Sequence, residues 1–391
     1  MDNIGRKTEG SVEKEGKMNI PEFVDLTVWD TEELQRQISE SSDISYIPKE
    51  VLESAIFDTT FEWPAKLPRG FDPEKLMEES KNPGLGIRKI HEEGITGKGV
   101  IVGIIDQRIS PAHSEFRANI ISNKEYYESK TLEEDTEISM HGPAVVSLLA
   151  GRTCGVAPDA KVVYGAENSA VDGFLGFTRA LKDIIEYNKK NEPRIKIVSV
   201  SKGYDEVPGV KEWLELKEEA KRLGIIVIDS DYFNENNLTG GGSKKDKDRF
   251  DDYELPLFYK ESEMQTPSVE DTTHKLSLVS EDIRKKFFDK YKSIENFLNN
   301  RKEELSNDLI IPSDYRTMAS GKGDSEYRYE AKGGWSWAIP YFSGVFALAL
   351  QVNPNLTNEK FLEIVRKTAG KNKKGIKVIS PSGIIEEVKK M

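Results

Sequence analysis

The chain alternates short β-branched runs with longer stretches of helical periodicity. Val100-Ile101-Val102-Gly103-Ile104-Ile105 is apolar throughout and broken only by Gly103, as expected of a strand buried on both faces of a parallel sheet. Similar runs occupy Ala160–Tyr164, Ile195–Val200 and Ile225–Ile228. Between them, Gly142–Ala150, Phe174–Asn188 and Val210–Leu223 read as helices, the last closed by Gly224 as a C-cap. Strand then helix, repeated, predicts an α/β fold in which a parallel β-sheet carries helices on both faces. Trp337–Val352 is apolar nearly all round, which predicts a buried helix.

Outside this alternation the pattern is less regular. Residues 1–20 are polar and expected to be disordered. Over 21–92, aromatics and prolines are scattered among charges, as in Phe61-Glu62-Trp63-Pro64, predicting an irregular N-terminal extension laid over a main domain at 93–391. Pro83-Gly84-Leu85-Gly86 reads as a turn, followed by a short helix over Ile87–Glu93 that stops at Gly94. A polar and helical insertion is expected at about 236–308. Its first part, Asn236–Asp252, is Gly-rich and charged and predicts a solvated loop. Its second part has Ile283, Phe287, Tyr291, Ile294 and Leu298 at the spacing of one amphipathic helix.

Composition narrows the function classes. Against 68 Asp plus Glu stand 56 Lys plus Arg, a net charge of −12, so no global positive field exists to neutralise phosphates and no nucleic-acid partner is expected. The longest apolar runs, Gly99–Ile105 and Gly344–Leu350, fall short of the roughly 20 residues that cross a bilayer, so no membrane partner is expected either. The first residues, MDNIGRKTEGSVEKEGKM, lack the apolar stretch of a secretion signal, which predicts a cytoplasmic protein. One cysteine, Cys154, permits no internal disulfide, and four histidines without CxxC or HExxH spacing offer no structural zinc site.

Open parallel sheets place ligands beyond the carboxyl ends of their strands. The first strand delivers Asp106 there, where an acid either orients a partner or caps a loop. His141 begins a helix whose later residues are apolar. Near the positive end of the helix dipole it is either a neutral base or a simple cap. In Gly333-Gly334-Trp335-Ser336-Trp337-Ala338-Ile339-Pro340, a helix starting near Ser336 would aim unpaired N–H groups at a substrate oxygen, with Pro340 tolerated as part of a first turn that has no donors to lose. Position 338 is Ala, so the G-x-S-x-G elbow of the α/β-hydrolases is absent, and the order Ser, acid, His fails as well.

Together these pieces resemble the subtilisin-like serine peptidases, whose triad runs Asp, His, Ser along the chain. Gly97-Lys98-Gly99 through Asp106 is similar to that family's first strand and acid. His141-Gly142, Ala150-Gly151 and Gly155-Val156-Ala157-Pro158 are similar to its His helix and the segment after it. Gly334-x-Ser336-x-Ala338-x-Pro340, then Gly344 and Gln351-x-Asn353-Pro354, resemble its Ser helix, so that the likeness runs from about Gly97 to Ala369. Departures are Gln107-Arg108 after the acid, Pro143-Ala144 after His-Gly, and two indoles, Trp335 and Trp337, flanking Ser336.

The resemblance implies a subtilisin-like parallel sheet and a serine endopeptidase acting on peptides or proteins through Asp106, His141 and Ser336. No cofactor is needed. Structural calcium occurs in relatives, but no metal ligand is assigned here. It also implies an oxyanion donor after the strand at 225–228, where Asn234 alone offers an amide and is otherwise a turn residue. Substrate contact falls to the edge strand Ile197–Gly203, at Ser201, Lys202 and Gly203. Lys202 there either favours an acidic side chain or is merely solvated. The extension at 21–92 becomes either a removable pro-segment or a permanent part of the fold. Cys154 reads as a packed small side chain, His113 as a loop residue, and His91 and His274 as surface residues. The rival from another class is a subtilisin-shaped pseudopeptidase that binds a partner peptide without turning it over.

Overall fold

The computed structural model describes residues 38–126, 139–167, 173–203, 208–256 and 308–391, with isolated positions between 285 and 296. The stretch 1–20 and the hydrophobic positions at 283–298 that predicted a helix lie outside the described residues, as does His274. The extension contributes strand β1 (Ile56–Asp58) and helices α1 (Pro73–Glu79) and α2 (Ile87–Glu92). Asp72 caps α1 by accepting Lys75 N–H, with Pro73 at the first helical position.

The strands that follow are β2 (Ile101–Asp106), β3 (Ile120–Glu125), β4 (Lys161–Ala166), β5 (Ile197–Ser199) and β6 (Ile226–Ile228). They pair in the order β3-β4-β2-β5-β6, every pair parallel, so their carboxyl ends share one edge. Helices α3 (His141–Ala150), α4 (Leu175–Lys190) and α5 (Val210–Arg222) connect them, and α5 ends at Gly224 in the left-handed region as expected. Side chains alternate across β2. Val102 and Ile104 pack with Ala144, Val145 and Leu148 of α3, while Ile101 and Ile105 pack with Phe177, Leu181 and Ile184 of α4. Both faces are dry, which is why the sequence reads as one continuous apolar run.

After β6 come a short helix, α6 (Ser230–Glu235), and strand β7 (Leu238–Gly241). The expected solvated loop at 236–252 is therefore corrected at its start. Leu238–Gly241 is buried and pairs parallel with β8 (Leu309–Pro312) in a four-stranded sheet of order β11-β12-β8-β7, with β11 at Gly370–Lys371 and β12 at Lys377–Val378. A Cβ on Gly241 would lie 2.6 Å from the Glu254 carbonyl, so glycine here marks close backbone approach rather than a flexible coil. Lys244, Lys245 and Asp246 beyond it are exposed, as predicted.

A third sheet joins β1 to the C-terminal half. Its order is β1-β10-β9, antiparallel throughout, with β9 at Arg316–Ala319 and β10 at Tyr327–Glu330. The extension is less irregular than its sequence suggests. Ile44, Leu52, Phe57, Phe71 and Met77 form a separate core that takes in Tyr329 and Ala331. The long apolar helix is α7 (Trp335–Val352), buried between α3 and the remaining helices α8 (Asn358–Thr368) and α9 (Pro381–Val388). Among the described residues, no helix is long and apolar enough to cross a membrane.

Candidate active site

Asp106 ends β2 and is only 3% exposed. Its Oδ1 accepts the Gln107 N–H at 2.8 Å and the His141 Nδ1–H at 2.6 Å. His141 is the first residue of α3, and three contacts hold together the corner where that helix starts beside the ends of β2 and β4. The His141 backbone N–H donates to Ser139 Oγ at 3.0 Å, Ser139 Oγ donates to the Gln107 side-chain carbonyl, and the Tyr164 hydroxyl donates to the Gln107 backbone carbonyl. Gly142 makes the approach possible, since a Cβ there would sit 2.2 Å from Gln107 O. Only glycine lets the helix come this close to the strand.

Electrostatics at His141 differ from the dipole-based expectation of a depressed pKa. Burial lowers it, but the charge and hydrogen bond of Asp106, with smaller contributions from Glu330 and Glu167, outweigh burial and hold it above the usual imidazole value. Carboxylates a few ångströms away act more strongly than the partial charge of a helix end.

Ser336 is the second residue of α7, half-buried, with Gly334 in extended conformation as N-cap. Its own N–H has no acceptor one turn back within the helix. Pro340 lies a full turn inside α7 and not in the donor-free first turn the sequence suggested. Its missing N–H leaves the Ser336 carbonyl without a helical donor. Ser201 Oγ supplies the replacement at 2.9 Å. The neighbouring indoles are both anchored: Trp335 Nε1 donates to Thr239 Oγ1 at 3.3 Å and Trp337 Nε1 to Glu330 Oε2 at 3.0 Å. The Trp337 ring lies 5.2 Å from that of His141, tilted by 36°. Among the described residues no hydrogen bond joins Ser336 Oγ to His141.

The remaining sequence candidates separate. β5 is not an edge strand, because it pairs with β2 on one side and β6 on the other, and its continuation begins with Val200 N–H still donating to Ile228 O at 3.0 Å. On that continuation Ser201 is buried against α7 while Lys202 and Gly203 are exposed, with Lys202 O accepting the Ser230 N–H at 3.4 Å. Asn234 is exposed on α6, and no hydrogen bond joins it to Asp106, His141 or Ser336 among the described residues. His113 lies in a loop as expected and is buried there, its ring nitrogens on Glu326 O and Glu115 N. His91 is likewise half-buried, bonded to Val156 O at 2.8 Å, with its pKa lowered by burial. Cys154 is fully buried, and its thiol pKa is raised by that burial, as fits a packed side chain.

Sequence reasoning missed Tyr164, Glu167 and Glu330 around the site and read Gln107 only as a departure after the acid. Glu330 had a usable signal, since Tyr327-Arg328-Tyr329-Glu330 alternates aromatic and charged residues at strand spacing. Among the described residues, no group of three or more His, Cys, Asp or Glu is arranged to hold a metal ion.

Comparison with known proteins agrees with this architecture. The sequence model of the subtilase family, Peptidase_S8, matches residues 97–238, which contain Asp106 and His141. Among solved structures, the A-subunit of the AB5 toxin from E. coli superposes with a TM-score of 0.51 at 15% identity, covering 78% of this chain and 98% of that one. A structure of the subtilase cytotoxin SubAB gives 0.49 at 16% identity over 79% of this chain and 95% of that one. Fervidolysin from Fervidobacterium pennivorans, a keratinolytic enzyme related to subtilisin, gives 0.48 at 16%, covering 78% of this chain and 45% of that one. At 15% identity the likeness to the toxin A-subunit speaks for the fold alone. The chain carries the sequence pattern of the subtilase family over residues 97–238, on a subtilisin-like, serine peptidase-like fold.

Proposed function

We propose that the protein is a serine endopeptidase that cleaves peptide bonds through Asp106, His141 and Ser336 by way of an acyl-enzyme. The observation that carries this reading is the 2.6 Å Asp106–His141 hydrogen bond at the carboxyl edge of the parallel sheet, beside the helix end that bears Ser336. Asp106 fixes the tautomer with the proton on Nδ1, leaving Nε2 free to accept the Ser336 hydroxyl proton. Ser336 Oγ then attacks the peptide carbonyl, and His141 passes the proton to the departing amine. Water repeats the sequence to release the acid.

Charge on the tetrahedral oxygen would be met by the Ser336 N–H at the α7 terminus. A second donor from Asn234 would have to turn in from the exposed face of α6. If it does, Asn234→Ala loses about 3–4 kcal/mol of transition-state stabilisation, the figure found for such a donor in a subtilisin. The peptide would run beside Ser201-Lys202-Gly203 as an added strand, with Lys202 in reach of an acidic substrate side chain.

A pseudopeptidase that binds peptide without cleaving it is the second reading, favoured by the lack of a Ser336–His141 hydrogen bond and by the indoles on either side of Ser336. A fluorophosphonate probe separates the two. Labelling of the wild type that vanishes in both Ser336→Ala and His141→Ala is the expected result. A folded wild type that takes up no probe would rule the peptidase out.

A further inference from the structure

Strand β10 leads in two directions. Successive side chains on a strand point to opposite faces. Tyr329 and Ala331 are fully buried in the core of the N-terminal extension, Tyr329 lying 5.1 Å from Phe57 ring to ring. Glu330, between them, is 5% exposed and accepts the Trp337 indole N–H at 3.0 Å, while Arg328 Nε holds its other oxygen. That indole is the one packed 5.2 Å from the His141 ring. On the outer side β10 pairs with β1, Ile56 opposite Glu330, and the Tyr329 hydroxyl donates to Glu53 O at 2.7 Å. Contacts thus run unbroken from the extension through Glu330 and Trp337 to the imidazole.

Resting on the peptidase reading, we propose that Glu330 is a positioning residue for the triad, fixing Trp337 against His141, and that the extension which holds β10 is a working part of the active form rather than a segment shed to activate it. The hydrogen bond to Asp106 fixes one edge of the imidazole, but the ring can still tilt about that bond. A rigid indole on its face removes this freedom. A buried indole N–H needs an acceptor, and a charged one binds it more firmly than a neutral one. The charged groups that face His141 are Asp106 at the end of β2, Glu167 after β4 and Glu330 on β10, each of which favours the imidazolium.

Three variants of the full chain test this: Glu330→Ala, Glu330→Gln and Trp337→Phe. Each is followed by fluorophosphonate labelling of Ser336 across pH and by the NMR titration of the His141 ring, assigned with His141→Gln. Glu330→Ala and Trp337→Phe should slow labelling at saturating probe by about tenfold or more, with little change in the half-saturating concentration. Glu330→Gln keeps an acceptor for the indole and should recover most of that rate. It should also move both the His141 titration and the acid limb of labelling to lower pH, because a negative charge has gone. If rates merely follow melting temperature and the titration stays put in all three, Glu330 is only structural and the proposal fails.

The extension is tested in the unaltered protein by the intact mass of the labelled molecules. Retention of residues 38–92 in the labelled fraction is expected, and labelling confined to molecules that have lost them would overturn the proposal. Should the wild type take up no probe, the peptidase reading falls by itself. The His141 titration still decides, since a downward shift in Glu330→Gln upholds the Glu330 link and no shift refutes it.

Discussion

The five-stranded parallel sheet and the three-stranded antiparallel sheet both reach His141, but they do so by different physics. At β2 the parallel sheet is dry on both faces and presents Asp106 at its carboxyl edge, directly on the ring nitrogen. The antiparallel sheet divides its faces, with Tyr329 turned into the extension's core and Glu330 turned toward Trp337. One sheet supplies the chemical partner of the imidazole, and the other anchors the α7 indole that packs against it. A double-buried sheet positions groups only at its ends, whereas a sheet with two different faces can tie a peripheral segment to a site along its length.

The largest effect expected on this division comes from the residues that would do the chemistry. Ser336→Ala or His141→Ala should lower peptide hydrolysis on the order of 10⁴-fold or more without unfolding either sheet, as checked by turnover alongside circular dichroism. Next is Phe57→Ala, which empties a fully buried site in the extension and should cost about 3–5 kcal/mol in chemical denaturation. If the antiparallel sheet is part of the site, activity in this variant falls before the parallel sheet melts. Full activity with a loosened extension would separate the two sheets functionally.

Gly142→Ala tests the other side of the comparison. A methyl 2.2 Å from Gln107 O must push α3 off the end of β2, at about 1–3 kcal/mol of stability, and should lengthen the Asp106–His141 hydrogen bond. A downfield imidazole proton in the NMR spectrum of the wild type, weakened in the variant, would report it. Smaller still is Ser201→Ala, which removes the donor to the Ser336 carbonyl and should cost about 1 kcal/mol, read as a several-fold drop in the labelling rate at unchanged probe affinity.

The least effect is on pH dependence. Because the Asp106 carboxylate holds the His141 pKa above the usual imidazole value, the acid limb of the activity–pH profile should lie higher than an ordinary imidazole would give. Asp106→Asn should move the NMR titration of the His141 ring down, since the nearest negative charge has gone, beside the large loss of turnover expected when the group that fixes the tautomer is replaced.

Much of this arrangement was legible from residue patterns. Ile101–Ile105 announces its strand because each residue must be apolar whichever face it takes, and Asp106 stands out because it ends that run. The helices at 141–150 and 335–352 were placed to within a few residues for the same reason. Strand β10 went unread because its two faces serve two environments, leaving Arg328 and Glu330 looking like surface charges. β7 was taken for a solvated loop because glycine is as common where backbones must touch as where they must move. The start of α7 was placed to within one residue, but Pro340 was counted into its donor-free first turn although it lies beyond it, and its consequence depends on Ser201, 139 residues away in the sequence.

The sequence by itself determined which segments are buried on both sides and that Asp106, His141 and Ser336 stand at the ends of such segments, because hydrophobic periodicity and helix caps are local properties, while the resemblance alone singled out the three as a set. Tertiary structure alone decided what surrounds those side chains: the net charge at His141, the donor to the Ser336 carbonyl, the acceptor for Trp337 and the place of the extension. Each of these depends on groups from distant parts of the chain meeting within hydrogen-bonding or electrostatic range, and no local pattern encodes that distance.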